Sequence, residues 1–402
     1  MRWISKFSYP RWALINFVVL TSFGVLLRYI QLYEMPGVDY QFILHAHSHF
    51  AFAGWMFFAI ALLISYEITD GKFTTRYKYV FLFSLISAYG MLFSFSWEGY
   101  KTVSIIFSSL FVLTTYRFTY LALKGRALKK AVNVMGCKLI NSALIFLCLS
   151  SLGPFTLGPL AAAGLKNTPY YQDAIYFYLH FQMNGFMFLG ALGLFASTSL
   201  INPLPVKSSR WLNVFIYSTI PLYFIFTLWD KPNVWVSMVA AAGSVLNLLS
   251  WLMLCLNFKK EGHQFSFLVK AALIAATLKI VFQAMICVPA IGEWTFLNRN
   301  LIIGYIHLLT LGIIMPLIID QFIKKGFFKN DKLLTVVNWS YIIAVVVYLV
   351  LLFIQPLLSL FLIVIPQYQF LLFALCALFL PVGLILLAKI NAVRLSSQSF
   401  KK

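Results

Sequence analysis

The chain has 402 residues, of which 61% are hydrophobic and 10% charged, and carries a formal net charge of +20. A soluble protein of this length would hold roughly a quarter charged residues, so a water-soluble enzyme or binding module is excluded. The basic excess does not point to nucleic acid either. It lies in short loops between apolar runs of about 20 residues, each long enough to cross a bilayer.

Twelve such runs can be drawn. They cover residues 12–33, 43–66, 79–97, 103–123, 135–152 and 172–197, then 211–229, 234–256, 267–288, 301–322, 334–354 and 370–390. No soluble domain fits between them and no internal repeat is obvious, so residues 1–402 read as a single integral membrane domain of all-α class. The first run follows a basic start without a small-residue cleavage site, which reads as a retained span rather than a removed signal peptide. Residues 154–169, rich in Gly, Ala and Pro, are expected to be the least regular connection, a re-entrant or surface segment. The five cysteines (Cys137, Cys148, Cys255, Cys287, Cys376) are scattered in apolar runs without a C-x-x-C pair and read as buried small hydrophobes.

Lys and Arg set the orientation. One side collects Arg2, Lys6 and Arg11; Lys72, Arg76 and Lys78; Lys124, Arg126, Lys129 and Lys130; Lys207 and Arg210; Lys259 and Lys260; Lys324, Lys325, Lys329 and Lys332; and Arg394, Lys401 and Lys402. The alternate loops carry far fewer. The expectation is a bacterial inner-membrane protein with both termini cytoplasmic and an even number of spans.

Span 2 opens on His45-Ala46-His47-Ser48-His49, which places three of the six histidines within five residues. Span 6 carries His180 and span 10 carries His307. All three spans enter from the outer side with their histidines in the first third, so at 1.5 Å rise per residue these imidazoles lie at one outer depth. Imidazoles inside a bilayer are costly unless they bind something or line a polar cavity. His45 and His49 share a helix face and His47 points nearly the opposite way. Neutral imidazole ligates haem iron, copper and zinc. A bis-histidine haem needs one histidine from each of two helices and aromatic walls, which a chain 18% aromatic supplies.

These segments resemble the catalytic subunit of the haem–copper oxidase superfamily. Tyr305-Ile306-His307-Leu308-Leu309-Thr310-Leu311-Gly312 is similar to its tenth-span H-x-H-L-x-x-x-G element, and His180-Phe181-Gln182-Met183-Asn184-Gly185 to the H-L-W-V-E-G element of its nitric oxide reductase branch. His47-Ser48-His49-Phe50 resembles the H-T-N-L type of second-span ligand. His45-Ala46-His47 also resembles the start of the NnrS family, a haem- and copper-containing group linked to nitric oxide. The resemblance implies an oxidase-like bundle around one low-spin, bis-histidine haem b, with His307 opposite His47, His45 or His49.

The departures from that pattern bear on the second centre. Tyr305 stands where the family has a high-spin haem ligand, span 7 has no histidine, and Asn184 replaces an acidic residue. The resemblance therefore implies a degenerate second site, for copper or iron, in which His180 survives and Tyr305 is a conceivable phenolate ligand. The role it implies is electron transfer or nitric-oxide-related redox chemistry, with catalysis of oxidoreductase type left open. The partners implied are a membrane redox partner or a cytochrome c-type donor, further subunits and the lipid bilayer, and no nucleic acid. The competing reading is a copper- or zinc-binding membrane protein for transport, assembly or detoxification, using His45, His49 and His180 without haem.

Among the remaining polar residues, Lys279 lies in the middle of span 9, a functional position by default. Lys138, Arg117 and Lys270 are near enough to span ends to snorkel. Asp173, Glu98 and Glu293 read as solvated charges at outer span ends, His263 as a solvated loop residue, and Pro316 as a kink before Asp320 in span 10.

Overall fold

The structure is a computed structural model that describes residues 8–128, 133–200, 206–260, 262–329 and 331–390. Of the basic residues used for orientation, Arg2, Lys6, Lys129, Lys130, Arg394, Lys401 and Lys402 lie outside that range, as do the side chains of Lys207, Lys259 and Lys260.

Every regular element among the described residues is a helix. Twelve are long and apolar enough to cross a membrane, and they follow the expected spans one for one. They are Tyr9–Ile30, Tyr40–Thr69, Thr75–Glu98, Thr102–Arg126, Val134–Ala162 and Pro169–Ser199, then Ser208–Asp230, Val234–Phe258, Phe267–Ile286, Arg299–Lys324, Lys332–Ser359 and Tyr368–Lys389. The protein is an integral membrane protein. Span 6 is 94% buried, span 2 78% and span 10 56%, whereas no other span exceeds 50%. The three spans that carry intramembrane histidines are thus the most interior ones, where an imidazole avoids lipid.

Local chemistry explains where the helices depart from the apolar runs. Span 2 starts earlier than its apolar run because the Asp39 carboxylate accepts the N–H groups of Gln41 (2.7 Å) and Phe42 (3.1 Å), an N-cap. The segment expected to be irregular after span 5 is helical over Leu152–Ala162, following a break at Ser151. Pro154 falls in the first turn of that helix, where no N–H is needed. A further short helix, Pro289–Leu297, lies between spans 9 and 10.

Three stretches widen from α-helical to π-helical geometry: Ala51–Phe57, Phe181–Phe188 and Leu308–Ile314. Each begins one or two residues after a histidine (His49, His180, His307), and each holds a glycine five residues beyond it (Gly54, Gly185, Gly312). In span 10 the cause is local. Pro316 has no N–H to close an α-helical bond to Gly312, so the preceding turn opens. In span 2 the widened turn is held from outside. Asn16 Nδ2 donates to the Gly54 carbonyl at 2.5 Å, and the Tyr89 hydroxyl donates to Asn16 Oδ1 at 3.0 Å.

The chain divides into two compact units. The first comprises Met1–Lys129, Gln321–Tyr348 and Ile365–Lys402, and the second Lys130–Asp320 and Leu349–Val364. In the first unit, span 1 packs against spans 2 and 12, and span 3 against span 4. In the second, spans 5 and 6 come together through Gly136 and Gly193. A Cβ on Gly136 would stand 2.9 Å from the Gly193 carbonyl oxygen, so only glycine permits this approach.

Candidate functional site

In the first unit, span 2 presents its histidines to two different surroundings. His49 stacks on Phe95 (ring centroids 4.3 Å apart, 15° between planes), and its Nε2 is 2.6 Å from the Tyr100 hydroxyl. His45 meets the edge of the Tyr100 ring at 4.7 Å. These two imidazoles are therefore brought together around one tyrosine, one of them already bonded to it. His47 faces the other way, as helical phase requires, and lies on span 1. A Cβ on Gly24 would stand 3.3 Å from His47 Cε1 and 3.6 Å from Cys376 Sγ, so the ring occupies a notch that glycine leaves open.

One turn beyond Gly24 on span 1 is Arg28, 7% exposed. Its Nη2 donates to the Tyr348 hydroxyl at 2.8 Å and its Nη1 to Gln31 Oε1 at 3.1 Å. The guanidinium also lies 5.7 Å from the Tyr348 ring centre. Gln31 in turn donates to the Tyr40 hydroxyl at 3.0 Å. Among the described residues no carboxylate pairs with Arg28.

In the second unit, His180 belongs to a hydrogen-bonded chain that can be built from one proline. Pro221 interrupts span 7, and the helix continues as a 3₁₀ helix over Pro221–Asp230. The Tyr223 N–H therefore bonds the Ile220 carbonyl (3.2 Å) in place of the Thr219 carbonyl an α-helix would use. The released Thr219 oxygen accepts from His180 Nε2 at 2.7 Å. A carbonyl can only accept, so the His180 proton is on Nε2 and Nδ1 is an acceptor. Asn184 Nδ2 donates to that Nδ1 at 3.3 Å, Tyr305 donates to Asn184 Oδ1 at 3.1 Å, and Gln283 Nε2 donates to the Tyr305 oxygen at 2.9 Å. Both nitrogens of His180 and the proton of Tyr305 are thus engaged within the protein. Lys279, one turn from Gln283 and 2% exposed, places its ammonium 4.5 Å from the Phe188 ring centre.

His307 stands outside that chain, two residues past Tyr305 on the same helix. Its Nδ1 donates to the Ile303 carbonyl at 2.8 Å, which puts the proton on Nδ1 and the basic lone pair on Nε2. A histidine held in this tautomer by a carbonyl is oriented to ligate through Nε2. On donor chemistry, a neutral imidazole in this tautomer can ligate haem iron. Among the described residues no three His, Cys, Asp or Glu side chains are grouped as a metal site.

Several residues read as exposed or snorkelling have defined partners. Lys138 donates to Ser209 (3.0 Å) and Asn213 (3.1 Å), Glu293 pairs with Lys231 (2.8 Å), Asp173 accepts from the Trp229 indole (3.1 Å), and Glu98 accepts the N–H groups of Val103 and Ser104 at the start of span 4. Sequence reasoning passed over Arg28, although an arginine at the end of an apolar run that is poor in basic residues departs from the charge rule. It also passed over the recurrence of His-x₄-Gly in spans 2, 6 and 10. No protein-family model matches the chain, and no curated protein matches it.

Proposed function

We propose that the chain is a haem b-binding membrane protein of haem–copper oxidase type, serving electron transfer or a nitric-oxide-related redox role. We place it in the plasma membrane of a bacterium with both termini cytoplasmic. The observation that carries this reading is His307, whose Nδ1–H is spent on the Ile303 carbonyl so that its Nε2 lone pair is the ligating one. The resemblance in spans 2, 6 and 10 supplies the rest, with His47 the second-span histidine best suited to a ligand role. His45 and His49 instead share the aromatic surroundings of Tyr100.

Bound haem supplies one-electron chemistry, its iron alternating between ferric and ferrous states. The residues do the positioning. The Ile303 carbonyl fixes the His307 ring and raises the basicity of its Nε2. Gly24 leaves room for the His47 ring at the helix surface. Tyr305 and His180 are read as members of a packing network, so neither is assigned to a second metal or haem. The electron donor is a membrane redox partner or a cytochrome c-type protein.

A reduced-minus-oxidised optical spectrum of the purified protein tests the reading. The expected result is a set of b-type bands unchanged by carbon monoxide, as for a six-coordinate iron. His307→Ala should abolish those bands and His263→Ala should leave them intact. Haem retained in full by His307→Ala would overturn the assignment.

A further inference from the structure

Within the first unit, His45 and His49 form a second group of imidazoles, turned away from the His47 notch. They stand four residues apart on one face of span 2, with about 5–6 Å between their Cβ atoms, so both rings can reach one ion. His49 stacks on Phe95, and its Nε2 is 2.6 Å from the Tyr100 hydroxyl. The His45 ring meets the Tyr100 edge at 4.7 Å and lies 6.2 Å from the Phe95 ring, and among the described residues it has no hydrogen-bond partner. Packing on aromatic rings accounts for the carbon faces of both imidazoles. The nitrogens of His45 are left to whatever enters from the loop end of the helix.

That end is open to solutes. Tyr100 lies in the short turn between span 3, which ends at Glu98, and span 4, which starts at Thr102, and it is 57% exposed. On the orientation proposed above, this turn faces the outer side. His45 and His49 are themselves only partly buried. We infer that His45 and His49 chelate a divalent transition-metal ion that enters from this turn. Neutral imidazole is a preferred donor for Cu²⁺, Zn²⁺ and Ni²⁺, of which Cu²⁺ binds tightest at a given nitrogen site. Two imidazoles on one helix act as a chelate. Once the first nitrogen is attached the second is held nearby, which raises affinity on the order of 100-fold or more over a single ring. Water fills the remaining positions of the ion. Without an ion the Tyr100 hydroxyl occupies His49 Nε2, and from its exposed turn it can give way to one. His180, which the competing sequence reading added to this pair, is engaged by the Thr219 carbonyl and Asn184 and takes no part. The site needs no haem.

The test strips the purified, untagged full-length protein with a chelator and titrates it with Cu²⁺. Electron paramagnetic resonance with echo-envelope modulation reads the affinity and counts the coordinated imidazoles. The expected result is one tightly held Cu²⁺ per chain carrying two imidazoles. His45→Ala and His49→Ala should each weaken binding on the order of 100-fold and leave one imidazole on the ion, while His263→Ala should change neither readout. A two-imidazole signal at full affinity in the His45→Ala/His49→Ala double variant would place the ion elsewhere and overturn the inference. Wild-type protein that binds Cu²⁺ no more tightly than the double variant would hold an adventitious ion only, and would overturn it equally. Should His49→Ala not fold for want of its stack on Phe95, His45→Ala decides alone, since that ring has no hydrogen bond to lose. The b-type bands are a separate readout: their absence would overturn the haem reading and leave this site standing.

Discussion

The two units bury polar residues to opposite effect. In the second, three residues that drew attention in the sequence, Tyr305, Asn184 and His180, join Gln283 in a directed chain that ends on the Thr219 carbonyl. In the first, Arg28 lies one turn past Gly24, the span 1 residue against which the His47 ring of span 2 packs, and its hydrogen bonds go to the neutral Tyr348 and Gln31. A histidine and a tyrosine at depth in a membrane are therefore insufficient to mark a cofactor site. What distinguishes the two places is what is bonded: a relay of neutral groups in the second unit, and a cation held by neutral acceptors in the first. His307, two residues from Tyr305, stands outside that relay, and its hydrogen bond to the Ile303 carbonyl places its proton on Nδ1.

The sharpest way to break that comparison is to cut the closed chain at its centre. Asn184→Leu removes both the acceptor of the Tyr305 hydroxyl and the donor to His180 Nδ1 while keeping similar volume. Each buried group left unsatisfied should cost about 1–3 kcal/mol. The expected outcome is a clear fall in the thermal unfolding midpoint in detergent, with the haem spectrum unchanged in position. A variant of unaltered stability with a shifted spectrum would mean that the chain serves the cofactor, and the contrast between the units would fall.

How far this contrast was legible in the sequence depends on the range of the interactions. The twelve spans, and the opposed facing of His47 and the His45–His49 pair, follow from apolar run length and helical phase, which are local properties. Interior placement of the histidine spans follows from the cost of an imidazole in lipid. The partners were hidden because they come from elsewhere: Tyr348 is 320 residues from Arg28, and Tyr305 is 121 from Asn184. Thr219 illustrates the reason best. Its carbonyl becomes an acceptor for His180 only because Pro221 opens the next helical turn, and only once spans 6 and 7 are packed. The proline was visible in the sequence, but its consequence two residues upstream was not.

A second, smaller effect sharpens the contrast between the buried cations. Among the described residues Lys279 has an aromatic face for company and no hydrogen-bond partner, and it lies a turn from Gln283. Lys279→Met keeps most of the volume and removes a charged group from the interior. Stability is expected to hold or rise, by about 1–2 kcal/mol, as read by the unfolding midpoint. A pronounced fall would show that the ammonium is bound to something the variant loses, which would make the second unit resemble the first.

The smallest effect belongs to a cation that does have its carboxylate. Lys389 donates to Asp331 at 2.5 Å at the water-facing end of span 12, where their side chains are 22% and 29% exposed. The Lys389 hydrogen bond, together with the Leu334 N–H, holds the Asp331 carboxyl below the usual carboxylate range. A carboxyl whose pKa is lower folded than unfolded adds stability that is fully present above the unfolded value, near 4, and is lost as pH falls through the lowered folded value. Asp331→Asn should therefore lower the unfolding midpoint slightly at neutral pH. The difference from wild type should shrink below pH 4 and also in about 1 M salt, where charges in water are screened within a few ångströms. If this half-buried pair moved the midpoint more than Lys279→Met does, burial would not be what makes an interior cation consequential.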